Sequence, residues 1–253
     1  MNSNQNSVLI AGESWITVKQ HLKGIDSFTT TSYGEGVKWV KAAIEEAGFF
    51  VEHLPNHDAG IKFPQTVEDL NKYAVVILSD IGSNTLLLHP EPFHGHKALP
   101  NRLEVLKKYV ADGGALVMAG GYFSFQGIEA KANYRNTVLQ DVLPVLMSDI
   151  DDRVEVPQGI NPVVVDENHP VMKGLSKEWP IVLGYNRFTA KDDSQVLMSC
   201  GDDPFVVMGT LGQGRTMAFA TDVGPHWASP ELVDARIFAD FWAQSIYWLT
   251  KKI

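Results

Sequence analysis

Four short polar clusters hold most of the residues able to do chemistry in this 253-residue chain: Gly12-Glu13-Ser14-Trp15, Ser79-Asp80-Ile81-Gly82-Ser83-Asn84, Gly120-Gly121-Tyr122-Phe123-Ser124, and Thr221-Asp222-Val223-Gly224-Pro225-His226-Trp227. His226 is the candidate acid–base group, because an imidazole titrates near neutrality, and Asp222 lies four residues before it. Glu13 and Asp80 are the candidate catalytic carboxylates. Two carboxylates facing each other across a crevice can share a proton, bind a divalent ion or hold sugar hydroxyls. Around them, Ser14, Ser83, Asn84, Gly120, Gly121, Tyr122, Ser124, Asp222 and Trp227 are the candidate ligand-binding residues. Ser124 is also a conceivable nucleophile for His226. Gly120 and Gly121 end a strand without side chains, so a ligand can approach their amide N–H groups and the pair is expected to form an anion or oxyanion nest. Each cluster taken alone has a structural reading as well, since corners between strands and loops use Gly, Asp, Ser and Asn for turns and caps.

Other residues have the right types but weaker company. His89, His94 and His96, with Glu91, could bind zinc or nickel, or merely solvate a proline-rich loop. Tyr185 and Arg187 could reach a carboxylate substrate or form a subunit contact. Trp15, Tyr33, Tyr122 and Trp227 suit stacking on a sugar or small ring, although aromatic side chains mostly build cores. No cofactor or metal is assigned from the sequence.

The four clusters converge only if the chain winds in a particular order. Val8–Ala11, Ala74–Leu78 and Ala115–Ala119 are short, continuous apolar runs that read as buried parallel strands, and Phe49–Leu54 reads as a further strand between the first two. Val37, Val40, Ile44 and Ala47 recur every three or four residues and predict a helix stopped by Gly48. A short helical stretch is expected around Thr66–Lys72, and Leu103, Leu106 and Val110 mark another helix. Pro55–Gly60 reads as a loop of turns and Ser79–Pro100 as a long irregular segment. From about Arg153 to Ala220 the runs follow one another with almost no helix between them and read as hairpins, with Gly201 and Gly212 in their turns. A C-terminal helix from about Leu232 carries Phe238, Phe241, Trp242, Ser245, Trp248 and Leu249 on one face, which must pack on the sheet or on another subunit. Strands alternating with helices imply right-handed crossovers and an open, mostly parallel sheet. Its ligand crevice then lies beyond the carboxyl ends of the strands, where all four polar clusters fall.

Composition narrows the partners. Twenty-one Lys and Arg against thirty Asp and Glu leave a formal charge of −9 with no clustered basic stripe, so no nucleic-acid partner is expected. The polar, uncharged segment Met1–Ser7 does not read as a signal or anchor, and no apolar run approaches the ~18 residues of a spanning helix. The expectation is a cytoplasmic protein without a membrane partner. Cys200 is the sole cysteine, so an intramolecular disulfide is excluded.

Three stretches resemble the class I glutamine amidotransferase-like family: Ile77–Asn84, Asp112–Phe125 and Gly212–Trp227, with Gly120-Gly121-Tyr122 and Pro225-His226-Trp227 the most telling parts. The chain is more distantly similar to trehalose-utilisation-type proteins. The resemblance spans nearly the whole chain. It implies a flavodoxin-like three-layer α/β sandwich forming a single domain over residues 1–253, with a β-rich section at about 153–220 integrated into it. In true amidotransferases of this type a cysteine occupies the turn that here reads Gly120-Gly121-Tyr122. Without that thiolate the nucleophile is missing, and glutaminase activity is not expected. Cys200, on a hairpin strand, reads as structural.

The expected function is binding of a small polar molecule at the strand ends, as a hydrolase or carbohydrate-processing enzyme. The alternatives are a non-catalytic ligand-binding module, or an assembly module in which the aromatic C-terminal helix forms a homo-oligomer. A homo-oligomer is expected in any case.

Overall fold

A computed structural model describes residues 6–253; of the N-terminal segment read above, Met1–Gln5 lie outside the described residues. An eight-stranded sheet organises the chain. Its strands are β1 (Ser7–Gly12), β4 (Phe50–Leu54), β5 (Val75–Ser79), β6 (Ala115–Ala119), β9 (Val163–Val164), β12 (Gln195–Cys200), β13 (Asp203–Leu211) and β14 (Gly214–Phe219). Their order is β4-β1-β5-β6-β14-β13-β12-β9. The pairs from β4 to β14 are parallel, and those from β14 to β9 are antiparallel. The hairpins expected in the C-terminal half therefore extend the same sheet. Two smaller pairs flank it: β7 (Val145–Met147) with β11 (Phe188–Ala190), and β8 (Arg153–Ile160) with β10 (Val182–Asn186).

Every residue of β5 and β6, and every residue of β1 after Ser7, is buried. Side chains alternate between faces along a strand, so both faces of the sheet must be covered. Two groups of helices do this. Helix α1 (Lys38–Glu46) packs against α9 (Arg236–Leu249), which also lies on β14. A second group comprises α2 (Asn56–Lys62), α3 (Val67–Leu70), α4 (Ser83–Leu87), α6 (Arg102–Ala111) and α7 (Leu139–Val142). Phe238, Phe241, Trp242, Ser245, Trp248 and Leu249 of α9 are all buried within the chain, with Phe241 and Trp242 against Phe219 of β14. The aromatic face of α9 is thus consumed by the sheet and is not free for a subunit contact.

Two local expectations are corrected, and one element is new. Pro55–Gly60 is not a loop: Pro55 caps α2, and Ala59 is buried in it. The segment Ser79–Pro100 contains α4 and α5 (Pro90–His94), and Arg102 ties this region down through bonds to the carbonyls of Leu86, Ala59, Gly60 and Thr85. Between Ser14 and Glu35 the chain forms a hairpin that the hydrophobic pattern did not announce, β2 (Ser14–Lys23) and β3 (Asp26–Glu35), paired in register from Ser14–Glu35 to Lys23–Asp26.

Candidate functional site

The loops leaving the carboxyl ends of β1, β5, β6 and β14 enclose a cavity of about 820 Å³. Glu13, Ser14 and Trp15 line it after β1, Asp80, Gly82, Asn84 and Thr85 after β5, Tyr122 and Phe123 after β6, and Asp222, Pro225 and His226 after β14; Asn56 and Lys131 complete the wall. Segments far apart in sequence thus meet on one rim because β1, β5, β6 and β14 are neighbours in the sheet.

Two of the acidic residues sit in backbone conformations that side chains rarely adopt. Glu13 has φ +48° and Asp80 φ +44°, both left-handed. Such residues are held at a cost of ~1–2 kcal/mol each and cluster at functional sites. The Glu13 amide donates to the Ser79 carbonyl at 2.7 Å, which turns the chain sharply out of β1. The Asp80 amide donates to Ser124 Oγ at 3.1 Å, and the Asp80 carbonyl accepts from Asn56 Nδ2 at 3.0 Å. Asn56 Nδ2 also donates to the Ser14 carbonyl at 2.6 Å, so one amide side chain holds the β1 and β5 corners together.

The carboxyl groups are crowded. Glu13 is buried and accepts a hydrogen bond from Ser79 Oγ at 2.5 Å. Burial first, and the charges of Asp222 and Asp80 next, push its pKa up to about 8. Asp80 is raised to about 6, again chiefly by burial, against the opposing hydrogen bond that its Oδ1 accepts from the Phe123 amide at 2.7 Å. A β-carbon on Gly121 would lie 2.9 Å from Asp80 Oδ1 and 3.0 Å from Asp222 Oδ1. Those two oxygens therefore fall within the ~6 Å over which like charges oppose each other's ionisation, and glycine is the residue that lets them approach.

Asp222 supports the histidine. Its Oδ2 accepts from the Trp227 amide at 2.7 Å and meets His226 Nδ1 at 2.8 Å. The carboxylate raises the pKa of His226 above its ordinary value, with partial burial opposing the shift. With Nδ1–H directed at Asp222, the neutral imidazole carries its lone pair on Nε2. Tyr122 stands edge-on to the His226 ring at 4.7 Å, and Arg153 lies over the Tyr122 face at 5.2 Å.

The candidate residues thus divide. Glu13, Ser14, Asp80, Asn84, Tyr122, Asp222 and His226 line the cavity, while Ser83, Gly120, Gly121, Ser124 and Trp227 do not. Ser124 is buried, its hydroxyl receiving the Asp80 amide; Trp227 is buried, its indole N–H donating to Glu155 Oε2 at 2.9 Å. The expected anion nest is overturned: the Gly120 amide donates to the carbonyls of Phe219 and Thr221, and the Gly121 amide to Asn186 Oδ1. Both N–H groups are spent inside the protein.

The outlying candidates also resolve into structure. His89 Nδ1 accepts from the Glu91 amide and caps α5, and among the described residues no three His, Cys, Asp or Glu are placed to hold a metal ion. Tyr185 OH and Arg187 Nε both donate to Asp203 Oδ2 at 2.8 Å. Sequence reasoning did not anticipate Asn56, Thr85 and Lys131 in the wall, and it placed Gly82, Phe123 and Pro225 in the rim clusters without giving them a ligand-binding role. Asn56, following β4 as the other clusters follow their strands, could have been found by the same rule.

A family model described as "Putative glutamine amidotransferase", GATase1-like, matches residues 7–251. The chain belongs to this family. Among solved structures, cytoplasmic protein STM3548 from Salmonella typhimurium is 45% identical, with 96% of this chain and 98% of that one covered and a TM-score of 0.92. Cytoplasmic protein STM1381 from Salmonella typhimurium LT2 is 44% identical, covering 96% and 99%, also at 0.92. The cytoplasmic location expected from composition is the one in both relatives' names, and among the described residues no helix is long and apolar enough to cross a membrane. A ThuA-like protein from Parabacteroides merdae, 13% identical, shares the fold at a TM-score of 0.56 over 97% of this chain and 90% of that one. No curated protein matches at a significant level.

Within this glutamine amidotransferase-like family, the chain has no thiol at its strand-end cavity. Cys200 is buried on β12, and burial pushes its thiol up to about 12.

Proposed function

We propose that the cavity binds a small, uncharged polar ligand of sugar type and that the protein hydrolyses it by acid–base chemistry rather than through a thiolate. One observation carries the reading: a histidine paired with a carboxylate lines the same cavity as carboxyl groups that retain protons unusually far up the pH scale. A base and an acid that coexist near neutrality are what hydrolysis requires.

The chemistry of the wall supports the ligand class. Three carboxyl groups and no free amide nest disfavour an anion. Lys131, the one cation in the wall, is paired with Glu129. Trp15, Tyr122 and Phe123 offer apolar ring surface beside the polar atoms of Asn56, Asn84 and Thr85, a mixture suited to the C–H face and hydroxyl rim of a sugar. In the reaction, His226 Nε2 takes a proton from water as its oxygen forms the new bond. Glu13, which keeps its proton up to about pH 8, gives it to the leaving oxygen as the old bond breaks. Asp222 holds the resulting imidazolium, and burial together with the charges of Asp222 and Asp80 keeps Glu13 in its protonated form.

A non-catalytic ligand-binding role is the second reading, favoured by the bonds that Asp80 and Asp222 already accept from the amides of Phe123 and Trp227. A thermal-shift screen with neutral sugars, amino acids and nucleotides tests binding, and turnover of the stabilising compound separates the two readings. The expected result is a rise in Tm with a neutral sugar and none with nucleotides, since a ligand that prefers the native state stabilises it. A flat screen counts against both readings.

A further inference from the structure

Asn56 brings the β4 corner into the cavity wall, and most of its polar atoms are already engaged. Its backbone N–H, at the start of α2, donates to Ser14 Oγ at 2.8 Å. Its side-chain nitrogen donates to two backbone carbonyls, that of Ser14 at 2.6 Å and that of Asp80 at 3.0 Å. An amide nitrogen carries two hydrogens, so both are occupied. The two carbonyls can only accept, so turning the amide over would set oxygen against oxygen. What remains is Oδ1, an acceptor that meets no donor among the described residues and stays accessible, unlike the sealed hydroxyls of Ser83 and Ser245. The neighbouring carboxylates present the same polarity. Asp80 Oδ1 takes the Phe123 amide and Asp222 Oδ2 takes His226 and Trp227, which leaves Asp80 Oδ2 and Asp222 Oδ1 open.

We propose that Asn56 is a specificity-determining residue: its Oδ1 accepts a hydrogen bond from one hydroxyl of the ligand and so selects a ligand that donates at that place. The proposal rests on the reading of the cavity as a sugar site. A fixed acceptor discriminates by penalty, because a ligand that lacks the hydroxyl leaves Oδ1 desolvated and unpaired. An ether or carbonyl oxygen at the same place fails as well, since it has no hydrogen to give. A freely rotating amide would accommodate either kind of group. The bonds to Ser14 and Asp80 remove that freedom before the ligand arrives, which lowers the ordering cost of binding. The same two bonds join the corner that carries Glu13 to the corner that carries Asp80, so the hydroxyl is held in register with the proposed acid.

The test uses the full chain and titration calorimetry, with the methyl glycosides of glucose, galactose and mannose as probes and the monodeoxy derivatives of the one that binds best. In the wild type, loss of one particular hydroxyl is expected to weaken binding about tenfold. In Asn56→Ala the same derivative is expected to bind as well as its parent, because the oxygen it fails to reach is gone. Asn56→Ser serves the same comparison should the alanine variant not fold. A purely structural role gives a different pattern, in which the substitution weakens parent and every derivative by one common factor, with no coupling between residue and hydroxyl. That pattern, or deoxy derivatives that all bind the wild type like their parent, overturns the proposal and leaves the sugar reading standing. No binding by any of the probes overturns both.

Discussion

Glu13 closes against Gly36: a β-carbon on Gly36 would lie 2.2 Å from Glu13 Oε1, and the Gly36 amide donates to the Glu13 carbonyl at 3.1 Å. The absence of a side chain at position 36 is therefore what lets the buried carboxyl lie where it does. Gly36→Ala is expected to displace the Glu13 side chain and destabilise the protein by about 1–3 kcal/mol, the usual effect of overpacking a closed site. Denaturant titration checks the loss; an unchanged midpoint contradicts the contact.

Stability should fall as pH rises through the range in which Glu13 ionises. Its pKa is raised from 4.5 to about 8 on folding, so between those values the native state holds a proton that the unfolded chain has released. The unfolded state then gains relative to the native one with each step upward in pH. Asp80, raised from 3.8 to about 6, acts in the same direction, and so does His226, whose raised pKa gives stability that is lost at higher pH. Glu13→Gln removes the Glu13 part and is expected to be more stable than the wild type at pH 9 by a few kcal/mol, on the order of its ionisation penalty. Comparison of Tm from pH 5 to 9 in the two proteins measures it; parallel curves would show that Glu13 ionises normally.

Asp222→Asn should lower the pKa of His226, because the hydrogen bond to the Asp222 carboxylate is the largest cause of its elevation. The amide oxygen can still accept the Trp227 N–H, so stability is expected to fall by only about 1–2 kcal/mol. Imidazole chemical shifts followed by NMR against pH read the change, and an unmoved His226 would contradict the pairing.

The protein should release no ammonia from glutamine, and Cys200 should resist alkylation in the native state at pH 8. The thiol is buried and lies far from its thiolate form at that pH. Mass spectrometry after iodoacetamide treatment, with and without denaturant, tests the second point. Ammonia release above background would overturn the exclusion of glutaminase chemistry.

The parallel half of the sheet was legible in the sequence because strands buried on both faces, such as Val75–Ser79 and Ala115–Ala119, must be continuously apolar. The rim of the cavity was legible for a related reason: the residues after those strands can only lie at one edge. The β2–β3 arm was not: Ile16, Val18 and Leu22 do alternate with polar residues, but Gln20 interrupts the run and, in the returning strand, Thr29, Thr30 and Thr31 look like any polar loop. Helix α2 was hidden by Asn56, His57, Asp58 and Gly60, which favour turns locally, whereas burial of Ala59 is decided by packing far along the chain. The glycine nest failed similarly. Whether the Gly120 and Gly121 amides are free depends on Asn186, Phe219 and Thr221, which nothing near position 120 reveals.

The most direct measurement is the titration of the Glu13 and Asp80 carboxyl carbons by NMR on the ¹³C-labelled protein, each resonance assigned with its amide variant. An acid and a base sharing one cavity near neutrality require Glu13 to titrate near 8 and Asp80 near 6 while His226 remains bonded to Asp222. Both carboxyls titrating in the ordinary range for Asp and Glu, around pH 4, would leave the cavity without its acid and contradict the account.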